Sequence, residues 1–266
     1  MTHQIIIVLI LTFLINLITT LSYSVRIVGI RTGRIAVSFA LFNILVLISR
    51  TAYGLQAPLL AKTVENNIYS GHGPNLLDFR LIILSCSVAT IIGGYMIPTF
   101  QRILSIAVEK FSIYKTVPNL LMHSFSKSGI VSIKDNLVVP NPKNIRSITL
   151  DKDFPWRVFV MNVIAVAIIT VGVLSSLYAS YLNPDFRTTA SSLSSVINGF
   201  STILMFIFID PYLSIMTDDV VLGKTKESLF RKYIVYMVIA RLIGTIIAQL
   251  IFIPASEFIA WIAGII

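Results

Sequence analysis

The sequence predicts an all-α integral membrane protein of about six transmembrane helices. Three observations predict it. Apolar residues fill 56% of 266 positions and charged residues only 12%, about half the charge of a soluble domain. The mean hydropathy is +0.86. The apolar residues fall in runs of roughly 20, long enough to cross a hydrocarbon core, rather than in amphipathic stripes. Such a chain has more apolar surface than one water-soluble core can hide.

Taken in order, the spans are expected near 4–24, 35–61, 81–105, 157–182, 188–216 and 232–253. The first reads as an uncleaved helix. Only His3 precedes a long apolar run, Gln4 to Ile18, and no small-residue cleavage site follows before Arg26. The tail Ser256 to Ile266 is too short to span again; it either finishes helix six beyond Pro254 or lies at the surface. The whole reads as one polytopic membrane domain, 1–266, with 106–156 as a connection inside it.

The connections sort by charge. The first, third and fifth hold fifteen Lys and Arg residues; the second and fourth hold three. The positive-inside rule then places the first, third and fifth in the cytoplasm and both termini outside. The net charge of +9 is accounted for by topology and by anionic lipid, with no motif for nucleic acid. The third connection alone has appreciable size. Arg102 to Phe125 mixes Ile, Leu and Phe with Lys, as an interfacial helix does. Gly129 to Lys134, Asp135-Asn136 and Leu137 to Val139 read as a β-hairpin before Pro140-Asn141-Pro142. A basic segment resting on lipid and a docking element both fit it.

An internal echo suggests two inverted three-helix halves. A shift of 153 aligns Arg34 with Arg187 and Pro58 with Pro211. An odd number of spans per half turns the second half over, a transporter plan.

Three ionisable residues lie within spans, where charge is expensive: Arg50, Asp210 and Arg241. At 1.5 Å per residue, Asp210 and Arg241 both lie about 12–14 Å from the cytoplasmic end of their helices. Matching depth and opposite charge predict a buried ion pair. Arg50 lies about 18–24 Å from either end of its helix with no acid at its depth. It is expected either to hold an anion in passage or to bond to carbonyls near Pro58 or to Asn198. Asn43 shares its face. Pro58, Pro98, Pro211 and Pro254 interrupt spans, and Ser191 to Thr202, including Asn198, makes half of helix five polar. In the first connection Arg26, Arg31 and Arg34 accompany Gly29 and Gly33, a composition suited to phosphate.

Chemistry is hard to find. His3, His72 and His123 lack ligand spacing, Cys86 is the single cysteine, and no nucleotide loop occurs. No metal, cofactor or catalytic set is expected. A lipid-processing enzyme would want clustered carboxylates or histidines near one interface. A structural protein has no use for an unpaired Arg50. A transporter of small solutes fits the buried charges.

Ser22 to Ala52, Phe208 to Ser214 with Thr217-Asp218-Asp219, and Arg241 to Thr245 resemble the Amj family. The resemblance runs nearly the whole chain. It implies a lipid II flippase of the bacterial inner membrane, able to stand in for MurJ and serving peptidoglycan synthesis. Its substrate would be undecaprenyl-diphosphate-linked disaccharide-pentapeptide. On that implication Arg26, Arg31 and Arg34 would receive the diphosphate, and Arg50 with Asn43 and Asn198 would hold it midway. The alternative is a secondary transporter of another anionic solute or polyprenyl lipid. Membrane lipids are further partners, and a homo-oligomer is open.

Overall fold

A computed structural model of the chain describes residues 2–114, 135, 136, 138 and 154–266. Among them no strand occurs, and six helical spans are long and apolar enough to cross a membrane.

The first span is broken. Helix α1 (His3–Leu21) gives way to a 3-10 turn, Ser22–Ser24, and then to α2 (Val25–Thr32). Residues 25–32, expected in the first connection, therefore belong to the helix. Only Gly33 and Arg34 turn the chain into α3 (Ile35–Tyr69). Gly33 sits at φ +65°, left-handed backbone that favours glycine, and the Arg34 N–H donates to Gly29 O at 3.1 Å. A Cβ on Gly29 would stand 2.9 Å from Ile35 Cα. The two glycines are thus explained by a tight helix–helix turn.

Helix α4 (Leu76–Tyr114) extends the third span at both ends. The expected interfacial helix is, as far as Tyr114, the continuation of this span, and its remainder lies outside the described residues. So does the expected hairpin apart from Asp135, Asn136 and Val138. The Val138 backbone N–H donates to Thr99 Oγ1 at 3.0 Å, and that hydroxyl donates to Val138 O at 2.9 Å. Helix α5 (Trp156–Leu182) and a 3-10 turn (Pro184–Phe186) follow. The fifth span is also broken, into α6 (Arg187–Leu204), a π turn (Met205–Ile209) and α7 (Asp210–Val221). Pro211 stands in the first turn of α7, directly after the π turn, and donates no N–H to it. Helix α8 (Glu227–Ala263) passes through Pro254, so the apolar tail finishes helix six.

Packing repeats between the halves. In the first, α1 packs on α3 and α4; in the second, α5 packs on α6 and α8. The centre is the antiparallel pair α4–α8. Arg80 donates to Gln249 O at 3.1 Å and Gln249 donates back to Arg80 O at 2.8 Å. Further along, Ser87 Oγ donates to Thr245 Oγ1 at 3.0 Å. Phe79, Tyr178 and Phe252 stack around one end of this centre. Tyr23, Phe230, Ile234 and Met237 fill the other. Outward residues such as Leu250 and Phe206 are apolar and uncovered, as lipid requires.

The helix ends sort into two faces. Thr63 with Gln4, Asn67 with Tyr181, and Gly264 near Asn183 share one. Arg31, Gln101 and Glu227 share the other.

Candidate functional site

The second and fifth spans are the least enclosed. Of their most apolar stretches 22% and 11% are buried, against 61% for the fourth span. Both α3 and α6 pack on α5. Gly172 of α5 lets α6 settle close: a Cβ there would meet Asn198 Oδ1 at 2.5 Å. Helices α3 and α6 thus both rest on α5 and leave much of their own apolar length uncovered.

At the face that carries the basic residues, Arg26 joins three elements. Its Nη2 lies 3.6 Å from Asp210 Oδ1, its Nη1 donates to Ser214 Oγ at 3.0 Å, and its guanidinium lies 5.3 Å from the centre of the Phe39 ring. One side chain thus ties α2 to both α7 and α3. The expected pair of Asp210 with Arg241 is not formed. Because the first span continues through Thr32, Arg26 lies about 9 Å inside its end, within about two residues of the depth reckoned for Asp210. It was counted as a loop residue only because the helix was ended too early. Arg241 instead donates from Nη2 to Asn16 Oδ1 at 2.8 Å.

Arg31 donates to Glu227 Oε1 at 2.8 Å and to Gln101 Oε1 at 3.3 Å. Arg34 is exposed, at the start of α3, with no side-chain partner among the described residues. Two of the three arginines are therefore held by carboxylates of the chain itself.

Midway along α3, Arg50 is exposed and meets no hydrogen-bond or ion-pair partner among the described residues. It is bonded neither to carbonyls near Pro58 nor to Asn198. Tyr53, one turn on, shares its face and lies beside Asn198. Asn198 is half-buried, and its enclosed Oδ1 has no hydrogen-bond partner. Asn43 is exposed on α3, nearer Phe39.

At the opposite face Arg187 lies 5.8 Å from the centre of the Tyr69 ring. Helix α3 therefore bears an aromatic ring near each end, each under an arginine from another element, with Arg50 between. Sequence reasoning missed Tyr53, the two rings and Asn16. Asn16 had a signal, a lone amide inside an apolar run. The rings had none, since an aromatic at a membrane interface is ordinary.

Among the described residues no group of three His, Cys, Asp or Glu could hold a metal ion. The arginines Arg26, Arg50 and Arg187 thus lie at three levels along α3, near Phe39, midway and near Tyr69.

The family described as "Amj: Alternate to MurJ" matches residues 11–263. The chain is 35% identical to the lipid II flippase Amj of Bacillus subtilis (strain 168), over 98% of this chain and 97% of that one. No solved structure matches.

Proposed function

This chain belongs to the Amj family, and on that premise we propose that it is a lipid II flippase, moving the undecaprenyl-diphosphate-linked precursor from the inner to the outer leaflet of the cell membrane. The relative's name supports the substrate. The arrangement of charge supports the route. A diphosphate is too polar to enter hydrocarbon unaided, and it needs cations at successive depths rather than a nucleophile. The face bearing Arg31 and Glu227 is cytoplasmic in this reading, with 106–156 on that side and both termini outside.

The diphosphate arrives at Arg34, which is free, and competes with Asp210 and Glu227 for Arg26 and Arg31. Taking Arg26 from Asp210 releases α2 from α7 and frees α3 to move away from α7. Arg50, Asn43 and Asn198 then hold the anion halfway, while the lipid tail stays in the bilayer beside the open faces of α3 and α6.

Arg50 carries this reading: an exposed arginine halfway through a span with no ion-pair partner among the described residues. An arginine there is retained at an insertion cost of roughly 2.5–3.5 kcal/mol. Arg50→Ala is expected to accumulate normally in the membrane and to lose flipping. Arg50→Lys is expected to be poor, since an ammonium offers no bidentate fork. Flipping is read by survival of cells in which this chain is the sole lipid II flippase. Full survival on a well-expressed Arg50→Ala variant removes Arg50 from the route. Failure of the parent chain to sustain such cells leaves another anionic solute or polyprenyl lipid as the cargo.

A further inference from the structure

Arg187 is the only Lys or Arg in the connection between the fourth and fifth spans. That connection is external in the reading above, and the positive-inside rule gives no reason for a cation there. The guanidinium lies over Tyr69, 5.8 Å from the ring centre. A guanidinium over a ring engages through its flat face and keeps its N–H donors, which lie in its plane, for other partners. No acceptor among the described residues takes them. Asp185 in the preceding turn and Glu65, one helical turn before Tyr69 on α3, form no ion pair with it. Most arginines in contact with the bundle are committed otherwise: Arg26 to Asp210 and Ser214, Arg31 to Glu227 and Gln101, Arg80 to Gln249, Arg241 to Asn16.

The position of Arg187 is fixed. Buried Ser180 of α5 donates from Oγ to Arg187 O at 3.1 Å. Arg187 is the first residue of α6, whose first turn holds no acid and whose start no side chain caps. The positive end of that helix therefore adds to the guanidinium rather than opposing it. The pair Arg187–Tyr69 joins the start of α6 to the end of α3, the two spans that leave most of their length to lipid. Arg34 stands in the same place in the other half. It precedes α3 as Arg187 opens α6, and each of these helices packs on the helix before it, α3 on α1 and α6 on α5. The two arginines lie on opposite faces. In an inverted repeat a site at one face has its like at the other.

We propose that Arg187, seated on Tyr69, binds the lipid-linked diphosphate at the outer leaflet, as Arg34 meets it at the inner one. The inference deepens the flippase reading and rests on it. The ring holds the guanidinium in place, so little freedom is lost when its fork closes on phosphate oxygens. A diphosphate offers that fork a second charge that the headgroup of a phospholipid diester lacks.

A cysteine at exposed Thr188 reports on this place. The full-length protein carries Thr188→Cys with Cys86→Ser and is labelled with a maleimide after purification in detergent; this is the parent. Undecaprenyl diphosphate is expected to protect the parent from labelling. Undecaprenol and phosphatidylglycerol at the same concentration are expected not to. With Arg187→Gln added, half-protection is expected to need about tenfold more diphosphate, a loss of about 1.4 kcal/mol. Arg187→Lys keeps the charge without the fork and is expected to need about threefold more. The Gln variant is expected to melt within about 4 °C of the parent, as exposed substitutions do; if it does not fold, the Lys variant decides. Half-protection at the parent's concentration in either folded variant overturns the proposal. Equal protection by phosphatidylglycerol overturns it too, since Arg187 is then an anchor for ordinary headgroups. An unprotected parent, made from a chain that sustains cells as their sole lipid II flippase, removes this site and leaves the flippase reading standing. Failure to sustain such cells removes both.

Discussion

Arg26 and Asp210 show how partner choice inside a membrane is set by depth and by which helices touch. The sequence offers Asp210 two arginines at similar depth, and α7 packs on α2, which brings it Arg26. The Asp210 side chain is 47% exposed and that of Arg26 15%, so the pair adds about 1 kcal/mol or less to stability. Its effect falls on closure instead. Asp210→Asn is expected to accumulate within about twofold of the parent and to loosen α2 from α7. A cysteine placed by Arg50→Cys, in a Cys86→Ser background, should then react faster with a maleimide supplied at the cytoplasmic face. An unchanged rate removes the pair from the gate. Cys86 itself is buried and held by Asn16, so the background substitution is mild.

At the scale of elements, the two interrupted spans are the ones that meet at this closure. The first breaks at Ser22–Ser24, just before Arg26; the fifth breaks at Met205–Ile209, just before Asp210. A 3-10 turn and a π turn each weaken the regular ladder at a point where a helix can bend. The short piece α2 is returned into α3 by Gly33 and by the close approach at Gly29. Any side chain at Gly33 adopts left-handed backbone, at roughly 1–2 kcal/mol. Gly33→Ala is therefore expected to lower the melting temperature in detergent. Gly29→Ala should lower it further, because its Cβ would meet Ile35 backbone rather than a side chain that can move. Gly54→Ala is the contrast. A Cβ there meets nothing within 4 Å, and the helix gains about 0.5–1 kcal/mol. If all three variants melt alike, the turn is not under the strain assigned to it.

Across the whole molecule, the halves repeat one packing scheme about the α4–α8 centre. Orientation is tested at two exposed turns on opposite faces. In a Cys86→Ser background, His72→Cys is expected to react with an impermeant maleimide on intact cells, and Lys224→Cys only after the membrane is opened. The reverse pattern turns the molecule over and makes the Arg31 face external.

Much of the architecture was legible in the chain, because the bilayer imposes a one-dimensional rule. A span needs about 20 apolar residues, wherever its neighbours lie. Six spans follow from counting along the sequence. Helix ends were less legible, since a helix continues past the apolar run wherever its ends are capped or packed, as at Tyr69 and Ala263. The side-chain partners were decided by the tertiary structure alone. Depth along a helix can be counted, but rotation about its axis and the identity of the neighbouring helix cannot. That is why Asp210 meets Arg26, why Arg241 meets Asn16, and why Tyr53 and Asn198, 145 positions apart, share one wall.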